Sequence, residues 1–141
     1  MIRIWCQKVL NALKFLHEHD IVHGELSCES IYINSNNGEI KVGEVGIKHI
    51  HTSDRSHELG ACALYRKEKT TRKVDIFCLG LTLLEIVAAS ETGPSRSTLK
   101  YIIRIIKLGR KRDMLATLKH EPMRDFMEKA LEEDPNKRFS A

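Results

Sequence analysis

Apolar side chains near the N-terminus recur at helical spacing. Trp5, Val9, Leu13 and Leu16 share one face, with Leu10 beside them. They predict a helix from about Ile2 to His19. Two short apolar runs follow, SIYIN and EIKVG, parted by NSNNGE. The Asn37-Gly38 pair is a turn signal between strands, so these runs predict a β-hairpin. From about Glu44 to Lys73 the periodicity fades and polar residues dominate. A long irregular segment is predicted there, and such a loop in a compact domain is usually functional or mobile.

Helical patterns then resume. Val74 to Ala89 is apolar nearly all round, the mark of a helix buried on every side. SETGPSRS, rich in Ser, Gly and Pro, predicts a loop. Leu99, Ile102, Ile103 and Ile106 predict an amphipathic helix. Met123, Phe126, Met127, Ala130 and Leu131 predict another, with Pro122 at its start, where a missing N–H does no harm. The expected fold is mainly α with one small β-hairpin, in a single domain over residues 1–141.

Composition narrows the classes. Of 141 residues, 42% are apolar and 30% charged, which suits a globular chain with a real core. The apolar run Ile76 to Ala89 contains Glu85 and falls short of the roughly 20 residues a membrane span needs. It reads as a core helix, and the N-terminus MIRIWCQKVL lacks the pattern of a secretory signal. Cys6, Cys28, Cys62 and Cys78 are scattered, without C-x-x-C spacing. Neither a disulfide framework nor a zinc site is expected, and a reducing compartment is, with the cytoplasm first and the nucleus second. His17, His19, His49 and His51 form two H-x-H pairs, read as solvated helix-end and loop histidines.

The formal charge is +4, densest in KLGRKRD and YRKEKTTRK. These read as solvated loops, although either could serve as a nuclear address. Neither carries the interleaved aromatics of a stacking surface, so nucleic acid is not the expected partner.

The sequence HGELSCES, residues 23 to 30, stands before the hairpin, and GEVG closes it. With LKFLHEHDIVHGEL, VDIFCLGLTLLE and EDPNKRFSA in that order, the chain resembles the large C-terminal lobe of a eukaryotic protein kinase. WCQKVLNALKFLH, IVHG, VDIFCLG and MRDFMEKALEEDPNKR are most similar to the with-no-lysine kinases and the nuclear receptor-binding protein pseudokinases. The resemblance implies that lobe's fold, without the small lobe's Gly-rich loop, V-A-I-K strand and partner glutamate helix. It also implies a final helix cut short after RFSA.

Kinases place their chemistry in few side chains, those of H-R-D-L-x-x-x-N and D-F-G. On that pattern His23 and Leu26 are kept. Gly24 stands for Arg, Glu25 for the catalytic Asp, Ser27 for Lys two residues later, and Ser30 for the metal-binding Asn. Glu44 matches the metal-binding Asp of D-F-G, and Gly46 is kept. A glutamate at 25 sets the carboxylate one methylene further out, and a misplacement of about 1 Å can cost on the order of 10²-fold. Serines at 27 and 30 remove a cation and an amide from a site that works by positioning and electrostatics. Glu44 keeps an oxygen donor suited to magnesium, with altered reach. The resemblance therefore implies a degenerate ATP and metal site, with neither a cofactor nor a structural metal expected.

Other matched positions imply structural roles. Asp75 resembles the aspartate that hydrogen-bonds the catalytic-loop backbone, and it could also N-cap the buried helix. His23 is expected to pack beneath the loop. Gly80 belongs to the VDIFCLG motif, and Arg138 resembles an arginine whose usual glutamate partner, from A-P-E, is missing. Thr52, Ser53 and Ser56 lie where activation loops are phosphorylated, yet the phosphate-receiving arginine is Gly24.

The leading expectation is a catalytically impaired, kinase-like module that binds protein partners. The first alternative is a weak or atypical serine/threonine kinase using Glu25 and Glu44. The second is an inactive piece of a longer kinase-like protein. An unrelated helical nucleic-acid-binding domain would require the ordered motifs to be coincidence.

Overall fold

The computed structural model describes residues 1–46, 71–92, 96–119 and 121–141. Most of the predicted irregular segment, with Thr52, Ser53, Ser56, His49, His51 and Cys62, lies outside the described residues. Helix α1 spans Ile2–Glu18, and strands β1, Ile31–Ile33, and β2, Ile40–Val42, follow it. Helices α2, Arg72–Thr92, α3, Arg96–Lys107, α4, Lys111–Ala116, and α5, Glu121–Ala130, complete the order. Among the described residues the chain is mostly helical, with one two-stranded antiparallel sheet.

Helix α2 is the centre of the core. Every position from Val74 to Leu84 is buried, so this stretch has no solvent face. Helices α1, α3 and α5 lay their apolar stripes against it, and α4 joins the same core through α3 and α5. Val9 and Leu13 come from α1, Ile102 from α3, Leu115 from α4, and Met127 and Ala130 from α5. A glycine in the middle of such a helix weakens it, yet Gly80 lets α5 come close. A Cβ there would stand 3.0 Å from Ala130 Cβ and from Leu131 Cγ and Cδ2.

The inward face of α1 is centred one residue away from the predicted one. Cys6, Val9, Leu13 and His17 are its buried residues, while Trp5, Leu10 and Leu16 are half-buried at its margins. His17 thus continues the apolar stripe, which corrects its reading as a solvated histidine.

The hairpin pairs Ile31 with Val42, Tyr32 with Lys41 and Ile33 with Ile40. Its loop is longer than a two-residue turn. Asn34 N–H donates to Glu39 O at 2.8 Å, and the Asn34 and Asn37 side chains accept from the N–H groups of Asn36 and Glu39. Such local asparagine bonds build the turn from within. Lys8 Nζ donates to Gly38 O at 2.8 Å and ties the loop to α1.

Two predicted loops are shorter than expected. Helix α2 runs on to Thr92 and α3 begins at Arg96, which leaves 93–95 of SETGPSRS between them. In KLGRKRD, Gly109 has φ +70°, with Gly109 N–H bonded to Ile106 O and Arg110 N–H to Ile105 O. This is the left-handed stop that glycine makes at little cost. Helix α4 then starts at Lys111, whose Nζ donates to Leu131 O at 2.9 Å beyond the end of α5. A helix C-terminus attracts such a cation.

Candidate functional site

The stretch 23–30 leaves α1 through a left-handed Asp20, φ +57°, and passes beside the start of α2. Asp75 holds it there. One carboxylate oxygen, Oδ1, accepts from Gly24 N–H at 2.8 Å. The other, Oδ2, accepts from His23 N–H at 2.9 Å and lies 2.7 Å from His17 Nε2. Asp75 is fully buried, so its charge is offset by directed hydrogen bonds rather than by water. It is the fourth residue of α2, and its carboxylate is turned to this loop rather than to a cap on the helix.

Gly24 has φ +83°, a conformation costly for side chains other than hydrogen. Here the loop backbone turns while its amide points at Asp75. His23 is buried at 1% exposure. Its Nδ1 accepts from Glu25 N–H at 3.3 Å and its Nε2 faces Gly43 O at 2.9 Å, which assigns the proton to Nε2. The ring therefore joins the loop to the segment after β2. Gly46 N–H returns to His23 O at 3.3 Å, and Gly43 N–H donates to Ser30 O at 2.9 Å.

Ser27 and Ser30 enclose a 3-10 turn, Cys28–Ser30. The Ser30 hydroxyl donates to Ser27 O at 3.0 Å and accepts from Ser27 N–H at 3.0 Å. It is 1% exposed, so this hydroxyl belongs to the turn rather than to a cleft. Cys28 Sγ donates to Glu85 Oε2 at 3.4 Å. Burial, with Glu85 and Glu29 nearby, pushes this thiol up to about 12.

Glu44 lies at the other side. Its backbone is left-handed, φ +60°, an unusual conformation for a side chain of this size. Its Oε1 accepts from the Tyr32 hydroxyl at 2.9 Å. The carboxylate raises the ionisation of that phenol through the hydrogen bond and through its charge. The Tyr32 ring crosses Gly43 so closely that a Cβ there would meet Tyr32 Cε2 at 2.9 Å. Among the described residues, no three His, Cys, Asp or Glu side chains converge as a metal site would require.

Arg138 is buried beside the base of α2. It donates to Glu132 O at 2.6 Å, Glu133 O at 3.1 Å and Lys73 O at 3.2 Å, and its guanidinium lies 4.8 Å from the Phe77 ring centre. Gly80 lies in the α2–α5 contact, away from the loop. The structure thus brings His23, Gly24, Glu25, Ser27, Ser30, Glu44 and Gly46 together around one histidine, with Asp75 beneath.

His17 and Tyr32 were missed as site residues. His17 was legible in principle, because it extends the buried row Cys6, Val9, Leu13 by one more helical step. Tyr32 had no such signal, since its contact with Glu44 depends on how the chain leaves β2.

Among known proteins, a model of the protein kinase domain matches residues 1–141. Serine/threonine-protein kinase pkpA of Phycomyces blakesleeanus is 32% identical over 93 residues, covering 61% of this chain and 15% of that protein. Probable serine/threonine-protein kinase WNK5 of Oryza sativa subsp. japonica is 28% identical over 149 residues, covering 99% of this chain and 45% of that protein. The chain spans less than half the length of either relative. No helix among the described residues is long and apolar enough to cross a membrane.

Proposed function

The chain belongs to the protein kinase domain family, and from that premise we propose that it is a catalytically impaired module of the large helical lobe. Its work is to bind protein partners in an intracellular, cytoplasmic setting. The observation that carries this reading is the Ser30 hydroxyl. It stands where the resemblance sets a magnesium-binding asparagine, yet it is buried and committed to Ser27 N–H and O.

The remaining donors do not fit the metal and nucleotide that the family uses. Magnesium asks for near-octahedral oxygen geometry, usually with one or two carboxylates beside the substrate phosphates. Glu44 offers one carboxylate, already accepting from Tyr32. Gly24 and Ser27 supply neither of the cations that would steady a transferred phosphate. The resemblance of WCQKVLNALKFLH, IVHG, VDIFCLG and MRDFMEKALEEDPNKR to the with-no-lysine kinases and the nuclear receptor-binding protein pseudokinases agrees with the reading.

A second reading keeps some activity. Both named relatives are called serine/threonine kinases, and Glu25 and Glu44 retain carboxylates at the two acidic positions. The deciding experiment is a thermal melt of the chain with and without Mg-ATP, followed by a phosphoryl-transfer assay. A ligand at 100 times its dissociation constant adds about 2.7 kcal/mol to the native state. An unmoved midpoint and no transfer are expected. An upward shift with transfer above that of a Glu25→Ala/Glu44→Ala chain would overturn the proposal in favour of the weak kinase.

A further inference from the structure

Helix α3 turns its apolar residues to the core at Ile102 and Ile106. Its opposite side carries two parallel lanes. Lys100, Arg104 and Lys107 follow one another at i, i+4 and i+7, and all three are exposed. Beside them run Tyr101, Ile105 and Leu108 at the same spacing. Tyr101 and Leu108 are each 61% exposed, and Ile105 is half-buried.

Among the described residues, the charge on this side has no acidic partner, unlike the charge on and before α4. On and before α4, Arg110 pairs with Asp113 at 3.1 Å, Lys111 with Glu132 at 3.7 Å and Arg112 with Glu128 at 3.4 Å. In the groove between α1 and α2, of about 500 Å³, Lys14 faces Glu18, Arg72 binds Asp20, and Lys73 donates to Arg138 O. Lys100, Arg104 and Lys107 have no acidic partner among the described residues. Three cations in one row repel one another, and a large apolar pair exposed alongside loses the benefit of burial. Both costs fall when an acidic, apolar surface lies along the helix.

We propose that this face of α3 is a docking surface for an acidic amphipathic helix of a partner protein. The inference deepens the reading of the chain as an interaction module and rests on it. The two lanes run from residue 100 to 108, about 12 Å of helix at ~1.5 Å per residue. A partner helix of roughly two to three turns spans that length. It sets leucine-like side chains on Tyr101, Ile105 and Leu108, and carboxylates on Lys100, Arg104 and Lys107. A lipid surface is a poorer match, because membrane-lying helices present a longer and wider apolar face. A nucleic acid strand is also poorer, because Tyr101 alone offers a ring for stacking.

The probe is a designed, fluorescein-labelled helical peptide of about 14 residues, with leucines at i, i+4 and i+7 and glutamates beside them. Binding to the full chain is measured by anisotropy. The peptide is expected to bind, more weakly as salt rises. A Lys100→Glu/Arg104→Glu/Lys107→Glu chain is expected to lose on the order of tenfold or more in affinity, and a Tyr101→Ser/Leu108→Ser chain a similar factor. A charge-neutral Lys100→Gln/Arg104→Gln/Lys107→Gln chain gives the same test with less perturbation, and thermal melts confirm that each variant folds. Three results would overturn the proposal. They are no binding, equal binding by the altered chains, or tighter binding of phosphatidylserine vesicles or a deoxythymidine oligonucleotide than of the peptide. The nucleotide assay separates this from the broader reading. Mg-ATP binding with phosphoryl transfer removes the impaired-module reading, whereas silence toward ATP with no peptide binding removes the α3 surface alone.

Discussion

His17 Nε2 lies 2.7 Å from Asp75 Oδ2, with the two side chains 8% and 0% exposed. The pair joins the last turn of α1 to the first of α2, and the same carboxylate holds the backbone of His23 and Gly24. Replacing Asp75 by alanine strips three donors of their acceptor at once, two of them on the buried His17 and His23. Breaking such a buried arrangement costs about 3–5 kcal/mol. Urea unfolding of Asp75→Ala is expected to show a loss of that order, and a midpoint equal to that of the unaltered chain would refute the anchoring role.

The α2–α5 contact gives a second expectation. Gly80→Ala gains about 1 kcal/mol of helix propensity but forces a methyl group to within 3.0 Å of three atoms of Ala130 and Leu131. Both neighbours are fully buried and have little room to yield. Overpacking of this kind costs about 1–3 kcal/mol, so a net destabilisation is expected, larger for Gly80→Val. A chain stabilised by Gly80→Ala would show that α5 can move outward freely.

The bond between Tyr32 and Glu44 predicts a pH signature. Glu44 favours the neutral phenol, so the ionisation of Tyr32 is raised from its ordinary value of 10.0. The sign follows from this. Any stability due to the pair is intact below that ordinary value and fades as pH rises through the higher folded one. Ultraviolet titration of phenolate should find one tyrosine ionising late, and Glu44→Gln should return it to the ordinary range. Magnesium added to the unaltered chain tests the acidic position directly. A metal on Glu44 would lower the Tyr32 titration, and no change is expected.

The thiols of Cys6 and Cys28 should be quiet. Burial pushes Cys6 up to about 11, and burial with Glu85 pushes Cys28 up to about 12. Both values favour the protonated thiol, so their contribution to stability holds below the ordinary 9.0 and is lost only as pH rises through the folded values. Alkylation of Cys28 in the native chain is expected to be about a thousandfold slower than that of a free cysteine in mild alkali. Mass spectrometry after iodoacetamide treatment measures this, and rapid native labelling of Cys28 would contradict its burial against Glu85.

Much of this architecture was legible before any coordinates. The all-round apolar pattern of Val74 to Ala89 predicts a buried helix because no polar stripe interrupts it, and the alternation around NSNNGE predicts the hairpin. Helix α4 was hidden because its first residues, Lys111, Arg112 and Asp113, are charged and follow a glycine. Its place depends on tertiary partners, Glu128, Glu132 and the end of α5, which periodicity does not report. At the site, the positions of His23, Ser30, Glu44 and Asp75 followed from the ordered motifs. Their pairings did not. That the Ser30 hydroxyl closes on Ser27, or that Tyr32 reaches Glu44, depends on backbone paths between elements.

Asp75 grips the loop by its amide hydrogens, and every residue except proline carries one. The grip itself is therefore blind to side chains, whereas the left-handed turn at Gly24 and the His23 ring on Gly43 O restrict what can stand at those two positions. Outside Gly24, His23 and Ser30, a loop held this way can keep its outline while other side chains change. Form and reactivity are separable in such a loop, and only the first is tied to the core.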